Sequence, residues 1–393
     1  MTTTKLPTAL RKIWALDDFQ IAAKKHLPLP VYAYYASAAE DRVTLKANRN
    51  AFNGYEFVPR YLVDTTKRSQ SITLFGDKYA APFGIAPMGM AAMCCFEGDI
   101  CMAKTASQQN ILSVLSAASF NPLERVAKEG DSTWYQLYQP GDTGRIKAML
   151  ARVKKAGFKT LVMTVDVPTA GNPENQARYG FSSPIKPSLS LAWQGIIHPK
   201  WLFNTWLKTL LKSGIPRFEN FDVEVGPPIL SKHLTRNFGI RENLTWQHIQ
   251  MIRDEWRGNL VIKGLLAPQD AIMAKKYGVD GIIVSNHGGR QLDGAQASLR
   301  ALPAMVAAAG DMPVMLDGGI RRGSDILKAY ALGAKFTFVG RPYLFALAIG
   351  GAAGVTHCTQ LLKQEVDRNM VMLGINEISQ TSLKALVHRI DGS

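Results

Sequence analysis

Short apolar runs alternate with longer amphipathic segments along most of the chain, and this alternation predicts the fold. Apolar residues recur at helical spacing in the segments 143–157, 267–278 and 323–333, and the last two begin with Pro or Ser-Asp and end at Gly. Eight further runs have the length and aliphatic content of buried strands, and they lie at 81–90, 111–117, 134–140, 159–166, 259–265, 281–288, 313–319 and 336–342.

Eight strands that alternate with helices are typical of a parallel (β/α)8 barrel. A doubly wound open sheet is the alternative, but no G-x-G-x-x-G motif follows the first predicted strand. We therefore predict an α/β fold, a TIM barrel over about residues 81–360, in a chain that forms a single domain over 1–393. Residues 1–80 precede the barrel and are expected to form a helical extension.

The alternation breaks after the fourth predicted strand, over a long insertion at about 167–245. Between Asn175 and Phe218 there is no acidic residue, whereas lysines and tryptophans recur. Residues 198–216 read HPKWLFNTWLKTLLKSGIP, the pattern of a basic amphipathic helix that can lie in the headgroup layer of a membrane. An ordinary helix packed on the barrel or on a neighbouring subunit fits the same pattern. We expect this insertion to associate with a membrane.

Composition narrows the class of protein. The chain has 393 residues, 47% of them hydrophobic, and a formal net charge of +15, which favours an anionic partner such as acidic lipid or small anions. Nucleic acid would fit the charge alone, but no aromatic-basic binding motif accompanies it, so no nucleic-acid partner is expected. We find no signal peptide, no uninterrupted spanning segment and no zinc-ligand spacing, and we expect a cytoplasmic protein without a metal site.

Candidate chemistry lies at the ends of the predicted strands, because the functional residues of parallel barrels lie at the C-terminal ends of the strands. Polar, charged and glycine positions close the eight strands. They are Pro87, Met88, Gly89, Ser116, Gln136, Tyr138, Thr164, Asp166, Lys263, His287, Arg290, Asp317, Gly319, Arg321, Gly340 and Arg341.

The loops after the last two strands predict a phosphate site. DGGIRRGSD (317–325) supplies glycines, two arginines and the start of a helix, and VGRP adds Arg341. Loops at these two positions of such barrels commonly bind phosphate through glycine N–H groups and a helix N-terminus. A phosphorylated ligand is therefore favoured.

A second group of residues predicts acid–base chemistry on a carboxylate substrate. His287 is a candidate base with Asp166 on the same barrel face, and Arg290 can bind a carboxylate with two parallel hydrogen bonds. Tyr138 can offer a hydroxyl to the substrate, and Lys263 can neutralise negative charge that arises on a cofactor. The set fits proton removal beside a hydroxyl group, with electrons passing to a phosphorylated cofactor.

These motifs resemble those of the FMN-dependent 2-hydroxy-acid dehydrogenases and oxidases, a family that includes glycolate oxidase and membrane-bound L-lactate and (S)-mandelate dehydrogenases. The matching stretches occur in the family's order over nearly the whole chain. They are YYASAAED, IAPMGM, QLY, TVD, VIKG, SNHGGRQLDG, DGGIRRGSD and GRP.

The resemblance implies a role for each candidate. It makes His287 the base, Asp166 the group that stabilises its charged form, Arg290 and Tyr34 the carboxylate-binding pair, and Tyr138 the partner of the substrate hydroxyl. Lys263 would stabilise the reduced FMN ring. The remaining positions would bind other parts of FMN, the ring by Pro87, Met88, Gly89, Ser116, Gln136 and Thr164, and the ribityl chain and phosphate by Asp317, Gly319, Arg321, Gly340 and Arg341.

Two positions depart from patterns found in the family. Pro173 stands where members usually carry an arginine, and Arg178 is a candidate substitute. Ala118 stands where glycolate oxidase has a tryptophan, and a small residue at this position resembles mandelate dehydrogenase. The small side chain leaves room for a large substituent on C2. Gly89 and the apolar, basic insertion resemble the membrane-bound dehydrogenases and favour a quinone or respiratory-chain acceptor.

The sequence thus predicts an FMN-dependent (S)-2-hydroxy-acid dehydrogenase with mandelate-like or lactate-like substrates, peripheral on the inner face of the cell membrane. The resemblance also implies a homotetramer. Two alternatives stay open: an oxidase that reduces oxygen to hydrogen peroxide, and a flavin-binding scaffold with weak or lost chemistry, the latter suggested by Pro173.

Overall fold

A closed barrel of eight parallel strands forms the centre of the molecule, as predicted. The computed structural model describes residues 6–138, 142–231 and 241–388. The strands follow one another around the barrel in chain order, and the eighth pairs with the first through Thr337 and Phe83. Their bounds are Phe83–Ile85, Ser113–Ser116, Thr133–Leu137, Thr160–Thr164, Asn259–Leu265, Gly281–Val284, Val314–Asp317 and Phe336–Val339.

Most of the observed strands are shorter than the predicted runs, which included residues that follow each strand. Predicted strand six extended to 288, but His287 has a φ of +56° and Gly288 one of +63°, conformations that end an extended strand. Residues 139 and 140 of predicted strand three lie outside the described residues. The predicted site positions therefore lie either in the last residues of the strands, as Ser116 and Lys263 do, or in the loops just beyond them.

A β-hairpin closes the end of the barrel opposite these loops. Its strands, Ile72–Leu74 and Asp77–Tyr79, pair antiparallel, and Leu74 and Tyr79 are buried against residues from the barrel interior. The Tyr79 ring packs edge-on against Phe336, with ring centroids 5.8 Å apart. Apolar packing thus seals this end and leaves the other end for polar chemistry.

The N-terminal extension is helical only in its first part, so the prediction for 1–80 is wrong from Tyr55 onward. After the helices Leu16–His26, Leu29–Ala36 and Val43–Asn50, the chain forms the strand Tyr55–Phe57, which pairs antiparallel with Leu386–His388, and then the hairpin. Three residues are too few for periodicity to identify a strand. Tertiary pairing with the C-terminal segment defines this one.

Helices surround the barrel. The predicted segments 143–157, 267–278 and 323–333 form the helices Thr143–Lys155, Pro268–Lys276 and Gly323–Ala331. The other barrel helices are Gly98–Gln108, Leu123–Glu129, Trp246–Glu255, Ser298–Ala309 and Arg341–Leu373, and short 3-10 turns lie at Thr8–Leu10, Ala51–Gly54, Ala91–Met93, Ile378–Gln380 and Leu383–Ala385.

The helix Arg341–Leu373 is long and apolar enough to cross a membrane by length and composition, the one such helix within the described ranges. However, 56% of its most apolar window is buried inside the fold, and the backbone leaves helical geometry at Gly351. Its apolar residues pack on the N-terminal helix Leu16–His26 and on the barrel helix Gly98–Gln108. Burial within the fold explains its composition.

The insertion separates the fourth strand from the helix Trp246–Glu255, as the sequence predicted. Within it lie the helices Glu174–Arg178 and Leu189–Ile196, followed by a continuous helical run that comprises Pro199–Trp201, the π-helical Leu202–Leu207 and Lys208–Ser213. Residues 232–240 of the insertion lie outside the described residues.

The helical run of the insertion is held to the barrel by one face. The buried Trp201 donates its indole N–H to the carbonyl of Met93 over 2.7 Å, and Trp206 stacks on its ring. Large apolar side chains of the insertion nevertheless remain at the surface. The most exposed are Leu189 at 92%, Leu211 at 83%, Phe203 at 63% and Trp193 and Ile196 at 60% each.

Candidate active site

A cavity opens at the C-terminal end of the barrel strands, with about 890 Å³ of space including its solvent-open part. That size is ordinary for a small-molecule or cofactor site. Most of the predicted site residues line it. They are Tyr34, Pro87, Met88, Gly89, Tyr138, Lys263, His287, Arg290, Asp317, Gly319, Arg321, Gly340 and Arg341.

His287 lines the cavity, and its ring is hydrogen-bonded to Asp166. Nδ1 of His287 lies 2.9 Å from a carboxylate oxygen of Asp166, so the other ring nitrogen, Nε2, is the one left to act on a substrate. Burial alone would raise the pKa of Asp166, but the neighbouring His287 and Lys263 charges outweigh it and lower that pKa. Asp166 is therefore a carboxylate beside the imidazole of His287.

The loop that carries His287 is in an uncommon conformation. His287, Gly288 and Gly289 all have positive φ, of 56°, 63° and 75°. A non-glycine residue in this region is strained, and such strain tends to occur at functional sites. The His287 N–H donates to the Ser285 hydroxyl over 3.0 Å, which fixes the turn at the end of the sixth strand.

Lys263 is the buried cation of the cavity floor. Its ammonium lies 3.1 Å from a carboxylate oxygen of Asp317 and donates to the Ser285 hydroxyl over 2.9 Å. Burial lowers the pKa of Lys263, but Asp317 and Asp166 outweigh this effect and raise it. The lysine is thus charged in a desolvated position, where it can stabilise negative charge on a bound group.

Arg290 is fixed against the N-terminal extension. Its guanidinium lies over the Tyr34 ring, 5.0 Å from the centroid, and donates to the Tyr34 carbonyl over 2.8 Å. The Tyr34 ring in turn packs on Phe181 of the insertion, with centroids 4.7 Å apart. A planar cation held in this way is well placed to bind a carboxylate with two hydrogen bonds.

The two arginines after the last strands define an anion site. Burial, and then the nearby cations Arg290 and Arg321, lower the pKa of Arg341 to about 9. An arginine stays protonated in proteins, so this environment favours binding of an anion. Gly319 has a φ of +81°, and a Cβ there would lie 2.3 Å from the Asn48 carbonyl, so no other residue fits this close approach.

Three predicted positions lie immediately beneath the cavity. Ser116, Gln136 and Thr164 are buried, and the Ser116 hydroxyl donates to the Gln136 side chain over 3.0 Å. The Gln136 amide nitrogen, the Thr164 hydroxyl and one Asp317 oxygen are buried without a hydrogen-bond partner in the described structure. Buried polar atoms of this kind need partners.

These observations fit FMN. The partnerless donors and acceptors beneath the cavity match the polar edge of a flavin ring, Lys263 supplies a charge beside it, and Arg321 and Arg341 match a phosphate. A ligand with an apolar body, a polar edge and a terminal anion would satisfy all three parts.

Sequence patterns missed the residues that support the site from the N-terminal extension. Buried Asn48 exchanges side-chain hydrogen bonds of 2.7 and 2.8 Å with Asn286, and it accepts from the Ser298 N–H. Tyr35 lines the cavity, and its carbonyl accepts a hydrogen bond from Arg341. Asn48 lies outside the matching stretches, and its partners are 238 and 250 positions away in the chain. Tyr35 lies within YYASAAED, but its partner Arg341 is 306 positions away, so that stretch does not identify the contact.

The structure also locates the departures noted in the sequence. Arg178 is largely exposed and ion-paired with Glu174 over 2.6 Å, and it is not among the residues that line the cavity. Ala118 lines the cavity, and a Cβ on Gly89 would lie 2.8 Å from the Ala118 methyl carbon. Gly89 and Ala118 thus pack closely together, and a larger residue at position 89 would displace Ala118.

Comparisons with known proteins agree with this geometry. The family described as FMN-dependent dehydrogenase matches residues 23–388. A solved structure of monotopic membrane protein (S)-mandelate dehydrogenase is 33% identical with a TM-score of 0.87, and the match covers 96% of this chain and 100% of that one.

Two further solved structures are similar. A soluble mutant of the membrane-associated (S)-mandelate dehydrogenase from Pseudomonas putida is 32% identical with a TM-score of 0.80, over 96% of this chain and 100% of that one. A mandelate oxidase with (S)-2-phenylpropionate is 32% identical with a TM-score of 0.80, over 96% and 99% of the two chains. The chain therefore belongs to the FMN-dependent dehydrogenase family and is an FMN-dependent 2-hydroxy-acid oxidoreductase.

Proposed function

We propose that the protein oxidises an (S)-2-hydroxy acid to the 2-oxo acid and passes the electrons to a quinone or other respiratory-chain acceptor. The substrate has a large C2 substituent, so mandelate-like acids are preferred over lactate-like ones. The observation that carries this proposal is the cavity that holds the His287–Asp166 pair, Arg290 and Lys263 together at the barrel mouth.

The proton is handled by His287 in this proposal. Nε2 of its ring takes a proton from the substrate, and Asp166, 2.9 Å from Nδ1, stabilises the resulting imidazolium. General-base help of this kind is worth roughly 10²–10⁴ in rate. Bound FMN supplies the acceptor for the two electrons that leave the substrate.

The carboxylate and hydroxyl of the substrate have separate partners. Arg290 and Tyr34, held together at one side of the cavity, would bind the carboxylate, and the Tyr138 hydroxyl would bond the substrate hydroxyl. Burial raises the pKa of Tyr138 to about 12, so this group acts as a neutral hydrogen-bond donor.

The substituent on C2 would lie near Gly89 and Ala118. Both residues line the cavity, and the small side chain of Ala118 would leave room for a phenyl ring or a long alkyl chain. All three of the similar solved structures are described as mandelate enzymes, which supports an aromatic substrate. FMN would be held by Lys263 and the residues beneath the cavity, with its phosphate at Arg321 and Arg341.

The exposed face of the insertion would place the enzyme on the inner face of the cell membrane. It combines Leu189, Trp193, Phe203 and Leu211 with the lysines of the same segment, a composition suited to the headgroup layer. A membrane-bound position brings the cavity close to a lipid-soluble acceptor. We also expect a homotetramer, which light scattering of the purified protein would test.

A panel of 2-hydroxy acids of increasing size tests the proposal. The purified FMN-loaded protein should reduce an artificial quinone with (S)-mandelate faster than with glycolate, and hydrogen peroxide should form under air at a much lower rate. Peroxide production that equals quinone reduction would identify an oxygen-reducing oxidase instead, an alternative favoured by the similarity to mandelate oxidase. No reduction with any member of the panel would leave a flavin-binding scaffold.

A further inference from the structure

The insertion contributes a cation to the active site. Arg241, at the end of the insertion, lies with its guanidinium carbon 4.4 Å from the centroid of the Tyr138 ring. The same group is 5.7 Å from the ring of Phe221, so the guanidinium lies close to two aromatic faces. Tyr138 lines the cavity, whereas Arg241 and Phe221 belong to the segment between the fourth and fifth barrel strands.

This placement has an electrostatic effect on the Tyr138 hydroxyl. Burial raises the pKa of Tyr138 and Asp166 raises it further, whereas the charges of Lys263 and Arg241 lower it. A cation over the face of a phenol ring withdraws electron density from the ring. The hydroxyl becomes a stronger hydrogen-bond donor toward a substrate oxygen that gains negative charge.

The other cations near the cavity are held by different groups. Lys263 is paired with Asp317, Arg290 donates to the Tyr34 carbonyl, and Arg178 is paired with Glu174 at the surface. Lys263 also acts on the Tyr138 hydroxyl, but it does so from the barrel floor. Arg241 therefore adds a positive charge from the insertion side.

We infer that Arg241 is a positioning residue for Tyr138, which orients the ring by stacking and strengthens the hydroxyl as a hydrogen-bond donor to the reacting substrate. This inference rests on the proposed role of Tyr138. It also makes the insertion part of the active site. An element expected to contact lipid then carries a residue that affects the rate of flavin reduction at the barrel mouth.

The experiment compares Arg241→Met in two backgrounds, the native chain and Tyr138→Phe, which keeps the ring and removes the hydroxyl. Anaerobic flavin reduction by (S)-mandelate is followed in stopped flow, which separates the limiting rate constant from the substrate dissociation constant. In the native background, Arg241→Met should lower the limiting rate constant roughly tenfold, the scale of one cation–π contact. In the Tyr138→Phe background, it should change that rate constant by less than about twofold.

Arg178→Met is the matched control, since Arg178 is an arginine of the same insertion whose ion pair lies at the surface. It should leave both constants unchanged. Arg241→Lys keeps the charge without the planar stack, and it should retain part of the rate. If Arg241→Met fails to retain FMN, Arg241→Lys is compared in the native and Tyr138→Phe backgrounds instead.

Three results would overturn the inference. An equal fall of the rate constant in both backgrounds would mean that Arg241 does not act through the hydroxyl. If Arg241→Met weakened substrate binding but left the limiting rate constant unchanged, Arg241 would serve only to attract the substrate carboxylate. A native protein that no 2-hydroxy acid reduces would contradict the proposed function itself, whereas normal reduction of Arg241→Met would contradict only this inference.

Discussion

The barrel mouth and the exposed face of the insertion both combine cations with aromatic rings, but they do so under opposite conditions. At the mouth, Lys263 is buried, and Arg290 and Arg341 are partly buried and held by backbone carbonyls of the N-terminal extension. On the insertion, Trp193 and Phe203 are exposed beside lysines of the same segment. Desolvated, fixed cations suit a small bound anion, whereas solvated cations beside apolar side chains suit a lipid surface.

The difference predicts how each region responds to substitution. At the mouth, the groups depend on one another, because Ser285 contacts both Lys263 and the His287 backbone. One replacement there should have a large effect. On the insertion, the contributions of separate surface side chains to membrane binding add, so several replacements are needed for a large effect.

The largest effect is expected for His287→Gln. The variant should bind FMN with an unchanged visible spectrum but undergo flavin reduction roughly 10²–10⁴ times more slowly, because the base is absent. Stopped-flow absorbance under anaerobic conditions measures this rate. The same replacement at His198 of the insertion, whose ring bonds the Gln194 carbonyl, should leave the rate as in the native protein. Native-like reduction by His287→Gln would remove this residue from the base role.

Lys263→Met should destabilise the folded protein by about 3 kcal/mol, because it leaves Asp317 buried without its cation. Thermal unfolding measures the loss, and FMN retained after gel filtration reports the site. Adding Asp317→Leu should recover most of the stability but not FMN binding. The control is Lys200→Met in the insertion, which should change neither quantity. A Lys263→Met variant that keeps its stability would contradict the buried pair.

The combined change Trp193→Glu, Phe203→Glu and Leu211→Glu should weaken binding to vesicles that contain anionic lipid by at least roughly tenfold, since each side chain is exposed and apolar. Sedimentation with vesicles measures this binding. Tyr61→Glu with Leu62→Glu alters another exposed apolar pair and serves as the control. Equal binding by both variants would place the membrane contact elsewhere.

Ala118→Trp should slow the oxidation of mandelate about tenfold more than that of glycolate, because an indole at this cavity-lining position would occupy the space proposed for the C2 substituent. The ratio of kcat/KM for the two substrates measures this effect, and Ala118→Ser is the conservative control. A similar loss for both substrates would mean that the C2 substituent lies elsewhere in the cavity.

Much of the barrel and its mouth could be predicted from the sequence, because each strand and the residue that follows it are close in the chain. The alternation of apolar runs predicted all eight strands, and the positions at or just beyond their C-terminal ends included His287, Lys263 and Arg341. The sequence pattern that predicts each strand also locates the candidate site residues, since a parallel barrel brings all the strand ends to one face.

Features made by long-range contact could not be predicted in this way. The hairpin at 72–79 and the strand Tyr55–Phe57 are too short for periodicity, and Asn48 acts on residues far along the chain. Arg241 is a further example, because stacking on Tyr138 depends on how the insertion folds back over the barrel. The sequence offers Arg178 as a substitute for the arginine missing at Pro173, but Arg178 lies at the surface in an ion pair with Glu174.

Anaerobic reduction of the FMN-loaded protein by the two enantiomers of mandelate tests the central claim most directly. The account predicts that (S)-mandelate bleaches the flavin rapidly and yields one equivalent of phenylglyoxylate, while (R)-mandelate leaves the colour unchanged. A flavin that neither enantiomer nor any smaller 2-hydroxy acid bleaches would contradict the assignment of His287, Arg290 and Tyr138 to hydroxy-acid oxidation.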